Sequence, residues 1–330
     1  MKLDFDPKNN ITAFDRVIMQ FKKTNNRIND LLVVRSIVKN WQDVFLFRVG
    51  LKKPGFVMQL CNGKRVEINK PEDYFQFWET KEAQEKLLKH KGYDDLIKIN
   101  KTEILFKSKY GIINFYHDTD KQLANTIGMI TGQFIEEEYG WLNVKNKNVI
   151  DIGANIGDTA IYFALKGAKH VYAFEPYPYS YNIANKNIKL NKLQDKITLV
   201  NQGCGGRETA IKIGSTYKNF GGTDLKHFKG GKDINITTLK GIIKRFNIVG
   251  PSILKIDCEG CEYGVLLKAE DQDLRKFEQI QIEYHYGYLN LKRKLNKAGF
   301  KFSITSPANL SNPQAENSNM LIGLLYAERL

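Results

Sequence analysis

One segment constrains the fold more than any other: Asn148-Val-Ile-Asp-Ile-Gly-Ala-Asn-Ile-Gly-Asp-Thr-Ala-Ile-Tyr162. A short apolar run ends at Asp151-Ile152, Gly153 and Gly157 bracket a tight turn, and a helical pattern begins at Asp158-Thr159. An apolar run of this length, followed by a glycine turn and a helix, reads as a buried strand feeding a crossover helix. Glycine at 153 would let the backbone approach a ligand, and glycine at 157 would let the helix pack closely on the strand. The helix start aims orphan N–H groups and a positive dipole end at whatever sits there.

The rest of the chain divides around this segment. Strands are predicted at 148–152, 170–174, 197–200, 253–257 and 279–284, most of them separated by helical stretches. Buried strands alternating with helices predict a mostly parallel sheet covered on both faces. Lys301–Thr305 and Met320–Tyr326 add two more strands, one of them antiparallel, for seven in all. The predicted organisation is an α/β Rossmann-like domain over 141–330, preceded by an accessory α+β region over 1–140. Within that region, Phe14, Val17, Ile18, Phe21, Ile28, Leu31, Leu32 and Ile37 have helical spacing. Val44–Val49 and Phe56–Leu60 read as paired strands around Lys53-Pro54-Gly55, and 71–91 as one helix ended by Gly92. Glu103–Phe106 and Ile112–Tyr116 flank a turn, and 119–132 reads as a helix.

The glycine spacing selects the ligand. A dinucleotide fingerprint needs G-x-G-x-x-G. This chain has G-x-x-x-G, with Ala154 where a second glycine would admit a pyrophosphate. Asp151, two positions before the first glycine, suits a cationic α-amino group such as that of S-adenosylmethionine. The second strand ends Ala173-Phe-Glu-Pro176, and an acid about twenty residues past the first glycine is placed to accept ribose hydroxyls. The third strand end carries Gln202, Gly203 and Cys204, where the adenine edge would be read. The candidate cofactor set is Asp151, Gly153, Ala154, Asn155, Gly157, Asp158, Thr159, Glu175, Pro176, Gln202, Gly203 and Cys204.

Three stretches together, Val149–Gly157, Ala173–Pro176 and Leu254-Lys-Ile-Asp-Cys-Glu-Gly-Cys-Glu262, resemble the FkbM family of methyltransferases over roughly residues 133 to 326. The last stretch discriminates: Lys255, Ile256, Asp257, Glu259, Gly260 and Glu262 match the pattern K-I-D-x-E-G-x-E, while Cys258 and Cys261 depart from the Val and Ala common there. The resemblance implies S-adenosylmethionine-dependent O-methylation of a hydroxyl on a sugar, glycolipid or other small molecule.

Ligands of an open α/β sheet sit beyond the carboxyl ends of its strands. The fourth strand delivers Lys255, Asp257 and Glu259 there, and the fifth delivers Glu283 and His285. Methyl transfer is an in-line displacement that needs the acceptor's proton removed. His285 is the first candidate for the base because its ordinary pKa lies near neutrality, and Asp257 is the second. Carboxylates with one imidazole also suit a divalent ion, with Asp257, Glu259, Glu283 and His285 as ligands. No metal is expected, because like spacings arise when Lys255 pairs with these acids.

Charge and cysteine content bound the partners. The formal net charge is +14, and the surplus lies mainly beyond residue 140, since the first 140 residues hold 23 Lys and Arg against 19 Asp and Glu. Such a surplus attracts nucleic acid, anionic lipid headgroups or acidic sugars. Lys pairs are scattered, however, and no Asn/Asp-Pro-Pro-aromatic stretch follows the fourth strand to hold a flipped base. A glycan, lipid or other small-molecule acceptor is therefore preferred to nucleic acid. A binding protein without turnover is the remaining alternative. Without a secretory pattern or a long apolar run, the expectation is a cytoplasmic protein with no membrane span. Four cysteines are too few for a disulfide scaffold, and Cys258-x-x-Cys261 reads as small apolar residues flanking a strand end.

Overall fold

The computed structural model describes residues 5–16, 19, 33–213, 231–310 and 320–329. They fall into two compact units: Gln20–Thr131, and Gly132–Leu330 together with Met1–Met19. The division lies at 131/132 rather than at the expected 140/141, and the N-terminal residues join the sheet-bearing unit. Ile11 is buried in that unit's core, and the Asn10 side chain donates to the Tyr286 carbonyl at 3.0 Å. One apolar anchor and a few polar bonds leave no periodicity for a sequence reading to find.

The Gln20–Thr131 unit carries helices α1 (Trp41–Arg48), α2 (Pro71–Glu79), α3 (Lys81–His90) and α4 (Asp120–Ile130). Hairpin β1 (Phe56–Gln59) and β2 (Arg65–Ile68) packs with α1, and β3 (Ile97–Ile99), β4 (Glu103–Ser108) and β5 (Gly111–Tyr116) form an antiparallel sheet. Val44–Val49, predicted as a strand, lies in helix α1 instead. A short unbroken apolar run has no period to distinguish the two states, and here Val44 alone in the helix is buried. The partner of β1 is β2. The helix predicted over 71–91 is broken at Thr80, whose backbone is extended and whose hydroxyl accepts from the Ala83 N–H to cap α3. Of the apolar positions read as helical near the N-terminus, Val17, Ile18, Phe21, Ile28, Leu31 and Leu32 lie outside the described residues.

The other unit is built on β6 (Asn148–Ile152), α5 (Asp158–Leu165), β7 (His170–Phe174), α6 (Pro178–Leu190) and β8 (Ile197–Val200). A side sheet of β9 (Gly203–Cys204), β10 (Thr209–Ile213) and β11 (Lys232–Thr237) follows, then α7 (Leu239–Arg245). The chain continues through β12 (Ser252–Ile256), α8 (Cys261–Lys268), α9 (Asp271–Leu274), β13 (Phe277–Tyr284), α10 (Leu289–Lys297), β14 (Phe300–Ile304), β15 (Ala308–Leu310) and β16 (Met320–Arg329). The main sheet runs β14-β16-β13-β12-β6-β7-β8, with β16 antiparallel to both neighbours. This is the predicted seven-strand α/β sheet with one antiparallel strand; β15 pairs with β16 off that path.

Register decides what the two faces carry. Ile150, Leu254 and Ile280 pair across β6, β12 and β13 and join the apolar core. One residue on, Asp151, Lys255 and Gln281 pair across the same strands. Strand side chains alternate between faces, so a polar row lies opposite the apolar one. Buried polar groups are tolerated only when partnered, which makes this face costly to build and points to the strand ends as the site. Among the described residues, no helix is long and apolar enough to cross a membrane.

Candidate active site

A cleft opens at the carboxyl ends of β6, β7, β8 and β12. The predicted residues Gly153, Asn155, Glu175, Pro176, Gln202, Gly203 and Cys204 all line it. Glu175 is buried, and its two carboxylate oxygens accept from the backbone N–H groups of Asn155 at 2.9 Å and Tyr177 at 2.8 Å. Burial nevertheless raises its pKa to about 8. Asn201, which no motif marks, donates to the carbonyls of Glu175 and Pro176 and fixes this strand end. Tyr177 and Ser180 also line the cleft; the only signal for them was their position just past Glu175.

Five predicted cofactor residues lie behind the wall rather than in it. Asp151, Ala154, Gly157, Asp158 and Thr159 are not among the lining residues. Asp151 is fully buried, accepts from the Thr159 hydroxyl at 2.6 Å and sits 3.0 Å from the Lys255 ammonium. Its Oδ1 faces Lys255 and its Oδ2 accepts from Thr159. Burial raises the Asp158 carboxyl to about 7.

The glycines also serve contacts that the sequence did not mark. Gly153 has φ of +82°, and a Cβ there would lie 1.7 Å from the Asp257 carbonyl oxygen. It therefore permits the β12 loop to cross the β6 loop. At Gly157 (φ +84°), a Cβ would press on Ala184 at 3.3 Å, so the contact served is with α6 rather than with the strand.

Lys255 is buried. Its ammonium donates to the Gly153 carbonyl at 2.7 Å, lies 4.0 Å from Asp257 and stands 5.5 Å over the Tyr139 ring. Burial pulls its pKa down, but Asp151 and then Asp257 outweigh that and raise it. Lys255 thus ties the glycine turn of β6 to the acids of β12, as a permanent cation. Tyr139 adds an O–H donated to Asp257 at 3.4 Å.

The acid-base group is assembled as expected, with one change of role. Asp257 and Glu259 line the cleft. His285 is 1% exposed; its Nε2 lies 3.2 Å from Glu259 and 3.9 Å from both Asp257 and Glu283, and its Nδ1 lies 2.6 Å from Glu262. Burial lowers the imidazole's pKa, but Glu262 and Glu259 more than reverse this and hold it well above the usual value. Such a ring stays an imidazolium at neutral pH and has no lone pair to take a proton. Glu262, which the family pattern marks and sequence reasoning left without a role, is its fully buried partner. Glu283 is raised well above an ordinary carboxyl by burial and by the neighbouring Asp257, and Glu138 is raised by burial and Asp257 too. Asp257, Glu283 and His285 offer ligand atoms within 4.8 Å of one another, and holding a divalent ion there would require the ring to give up its proton.

Cys258 and Cys261 are joined by a disulfide, contrary to their reading as packing residues. Their spacing across Glu259-Gly260, both with positive φ, folds the loop back so that the sulfurs meet.

Residues 151–302 match the family model of the methyltransferase FkbM domain. A ribosomal protein L11 methyltransferase of Carboxydothermus hydrogenoformans is 43% identical over 54 residues, 16% of this chain and 18% of that protein. An uncharacterised protein, 158B, of Sulfolobus islandicus rod-shaped virus 1 is 29% identical over 150 residues, 46% of this chain and 68% of that protein. The crystal structure of an FkbM methyltransferase from Methylobacillus flagellatus superposes with a TM-score of 0.39 at 16% identity, covering 57% of this chain and 45% of that one. The match thus spans under a fifth of the first relative's length and under half of that structure's.

Proposed function

We propose, from the match of residues 151–302 to the family model of the methyltransferase FkbM domain, that this chain is an S-adenosylmethionine-dependent methyltransferase acting on a hydroxyl of a sugar, glycolipid or other small molecule. The observation that carries the reading is one cleft lined both by Gly153, Asn155 and Glu175 and by Asp257 and Glu259. The residues fit the cofactor. Glu175 is a buried acid poised to accept two ribose hydroxyls, Gln202 and Cys204 lie where the adenine would be read, and Cys258 and Phe174 supply apolar wall. When bound, S-adenosylmethionine supplies a methyl group on a sulfonium leaving group.

The chain's own part is to orient the acceptor and hold its proton. His285 is an imidazolium clamped between Glu259 and Glu262, so the base falls to the Asp257–Glu283 pair. A carboxyl pair in which one member holds its proton well above the usual range is closer to a hydroxyl's needs than an ordinary carboxylate. Lys255 and His285 fix the pair's position and charge.

A small acceptor is favoured over nucleic acid by local charge. Although the chain carries a net charge of +14, the described residues lining the cleft include Asp257 and Glu259 and no Lys or Arg. Glu138 lies within electrostatic reach of Asp257. Phosphate backbones are held by Lys and Arg, and an acidic cleft repels them.

Calorimetry with S-adenosylmethionine, S-adenosylhomocysteine and NAD tests the cofactor. Micromolar affinity for the first two, lost in Glu175→Gln, is expected. Transfer of labelled methyl from S-adenosylmethionine to a panel of saccharides, glycolipids and RNA then tests the acceptor. Tight NAD binding without S-adenosylmethionine binding would overturn the cofactor, and labelling of RNA alone would overturn the acceptor class.

A further inference from the structure

The catalytic loop between β12 and α8 carries a feature that methyl transfer does not need. Asp257-Cys-Glu-Gly-Cys261 supplies two cleft carboxylates, and its ends are cross-linked by the Cys258–Cys261 disulfide. Both half-cystines line the cleft. Little else closes the loop. The Cys258 N–H donates to Glu262 at 3.3 Å and the Cys261 N–H to the Cys258 carbonyl at 3.5 Å, both at the weak end of hydrogen-bond lengths. Two consecutive residues hold left-handed backbone, Glu259 at φ +56° and Gly260 at φ +115°. Glutamate has no steric preference for that region, so Glu259 stays there because its surroundings hold it. The cross-link and the Glu259–His285 contact at 3.2 Å are part of those surroundings.

From this juxtaposition we infer that Cys258 and Cys261 form a reversible redox modification site that sets the shape of the cleft wall. The inference rests on the cleft being the cofactor site. In the disulfide form Glu259 is held toward His285, and Cys258 forms the wall. The reductant is a small dithiol or a protein dithiol. Its thiolate attacks the half-exposed Cys258 sulfur, forms a mixed disulfide and expels Cys261 as thiolate. Cys261 is the first residue of α8, where the helix end stabilises a departing anion, and it then takes a proton from water. The second thiol of the reductant displaces Cys258, so two electrons and two protons pass to the pair and the reductant leaves as its own disulfide. With the link open, Glu259 is free to leave left-handed backbone, and the wall made by Cys258 moves with it. The other cysteines do not share this arrangement: Cys61 and Cys204 are free thiols, and burial raises the Cys204 pKa.

The test uses the full chain in its oxidised form, after dithiothreitol, and after reoxidation, with Cys258→Ser/Cys261→Ser as the permanently open control. Calorimetry with S-adenosylhomocysteine should show affinity about five- to tenfold weaker in the reduced and double-variant proteins, restored by reoxidation in the unsubstituted chain only, the size expected from loosening one short loop. Hydrogen exchange over residues 257–263 should accelerate on reduction and match the double variant. Equal affinity in the two redox forms, or unchanged exchange, would overturn the inference. Absence of binding in both forms would sink the cofactor reading instead. The exchange result would then decide the redox site alone, faster exchange upholding it and unchanged exchange refuting it.

Discussion

Replacing Lys255 by Met isolates what holds the two halves of the site together. The substitution keeps the stem's apolar length and removes the ammonium. Asp151, with no exposed surface, would then keep the Thr159 hydroxyl as its partner, and the Gly153 carbonyl would lose its 2.7 Å donor. Breaking a buried ion pair from one side costs about 3–5 kcal/mol, because a charge is left without compensation. For a unit of this size that corresponds to a fall in melting temperature of roughly 6–20 °C. The reverse substitution, Asp151→Asn, should cost less, about 1–3 kcal/mol, because Lys255 retains the Gly153 carbonyl and Asp257 at 4.0 Å. The double variant should be less destabilised than the sum of the two, by about 1–3 kcal/mol of coupling. The chain has two units, so the assay must report on one of them. Pulsed hydrogen exchange along a urea series, read on peptides covering 148–152 and 252–256, does so. Equal losses from the two single variants, or strict additivity in the double, would refute the account of Lys255 as the tie between the glycine turn and the carboxylates.

Other consequences follow from single observations. Glu175 has a pKa raised to about 8 by burial, and ribose hydroxyls donate to its ionised form. Affinity for S-adenosylhomocysteine should therefore rise about tenfold per unit between pH 6 and 8 and level off above, while Glu175→Gln should bind about 100-fold more weakly, with the pH dependence gone. His285→Gln should lower kcat about 10- to 100-fold with little change in the KM for S-adenosylmethionine, and the acidic limb of the pH–rate profile should survive; its disappearance would make His285 the base after all. Chelation with EDTA should leave methyl transfer within about twofold, because Lys255 and His285 already stand beside Asp257 where a metal ion's charge would act; abolition rescued by Mn or Mg would refute this. Gly153→Ala would put a Cβ 1.7 Å from the Asp257 carbonyl in left-handed backbone, so that variant should lose several kcal/mol, of order 3 or more, and be recovered largely insoluble or with a sharply lowered melting point.

The sheet was legible because its strands are buried on both sides and punctuated by glycine: β6, β7 and β8 were expected at the residues where they form. The accessory unit was less so. Its runs are short, and Val44–Val49 shows the reason, since four apolar residues in a row satisfy a half-buried helix as readily as a strand. At the site, position along a strand located most of the cleft residues but could not tell front from back. Asp151 and Glu175 both end parallel strands in acid, yet one is consumed by Lys255 and the other faces the cleft. The difference lies in register against β12, which brings Lys255 opposite Asp151, and register between distant strands is not written in local spacing.

The same limit explains His285. Its identity and its place after the fifth strand were visible, and both argued for a base. What sets its charge is Glu262 on α8, whose carboxylate meets Nδ1 at 2.6 Å, together with Glu259 from a loop closed by a cross-link three residues long. Those contacts span 23 residues of sequence on one side and depend on left-handed backbone at Glu259 and Gly260 on the other. The motif K-I-D-x-E-G-x-E therefore encodes more than a list of acids. Lys255 neutralises Asp151 behind the glycine turn, Asp257 lines the cleft, Gly260 turns the chain, and Glu259 and Glu262 together keep an imidazolium in place between them. Two carboxylates spent on one histidine would be wasteful if that histidine were meant to lose its proton. They are well used if it must keep a fixed positive charge 3.9 Å from the Asp257–Glu283 pair, where it offsets the negative charge left when the acceptor's proton has passed on.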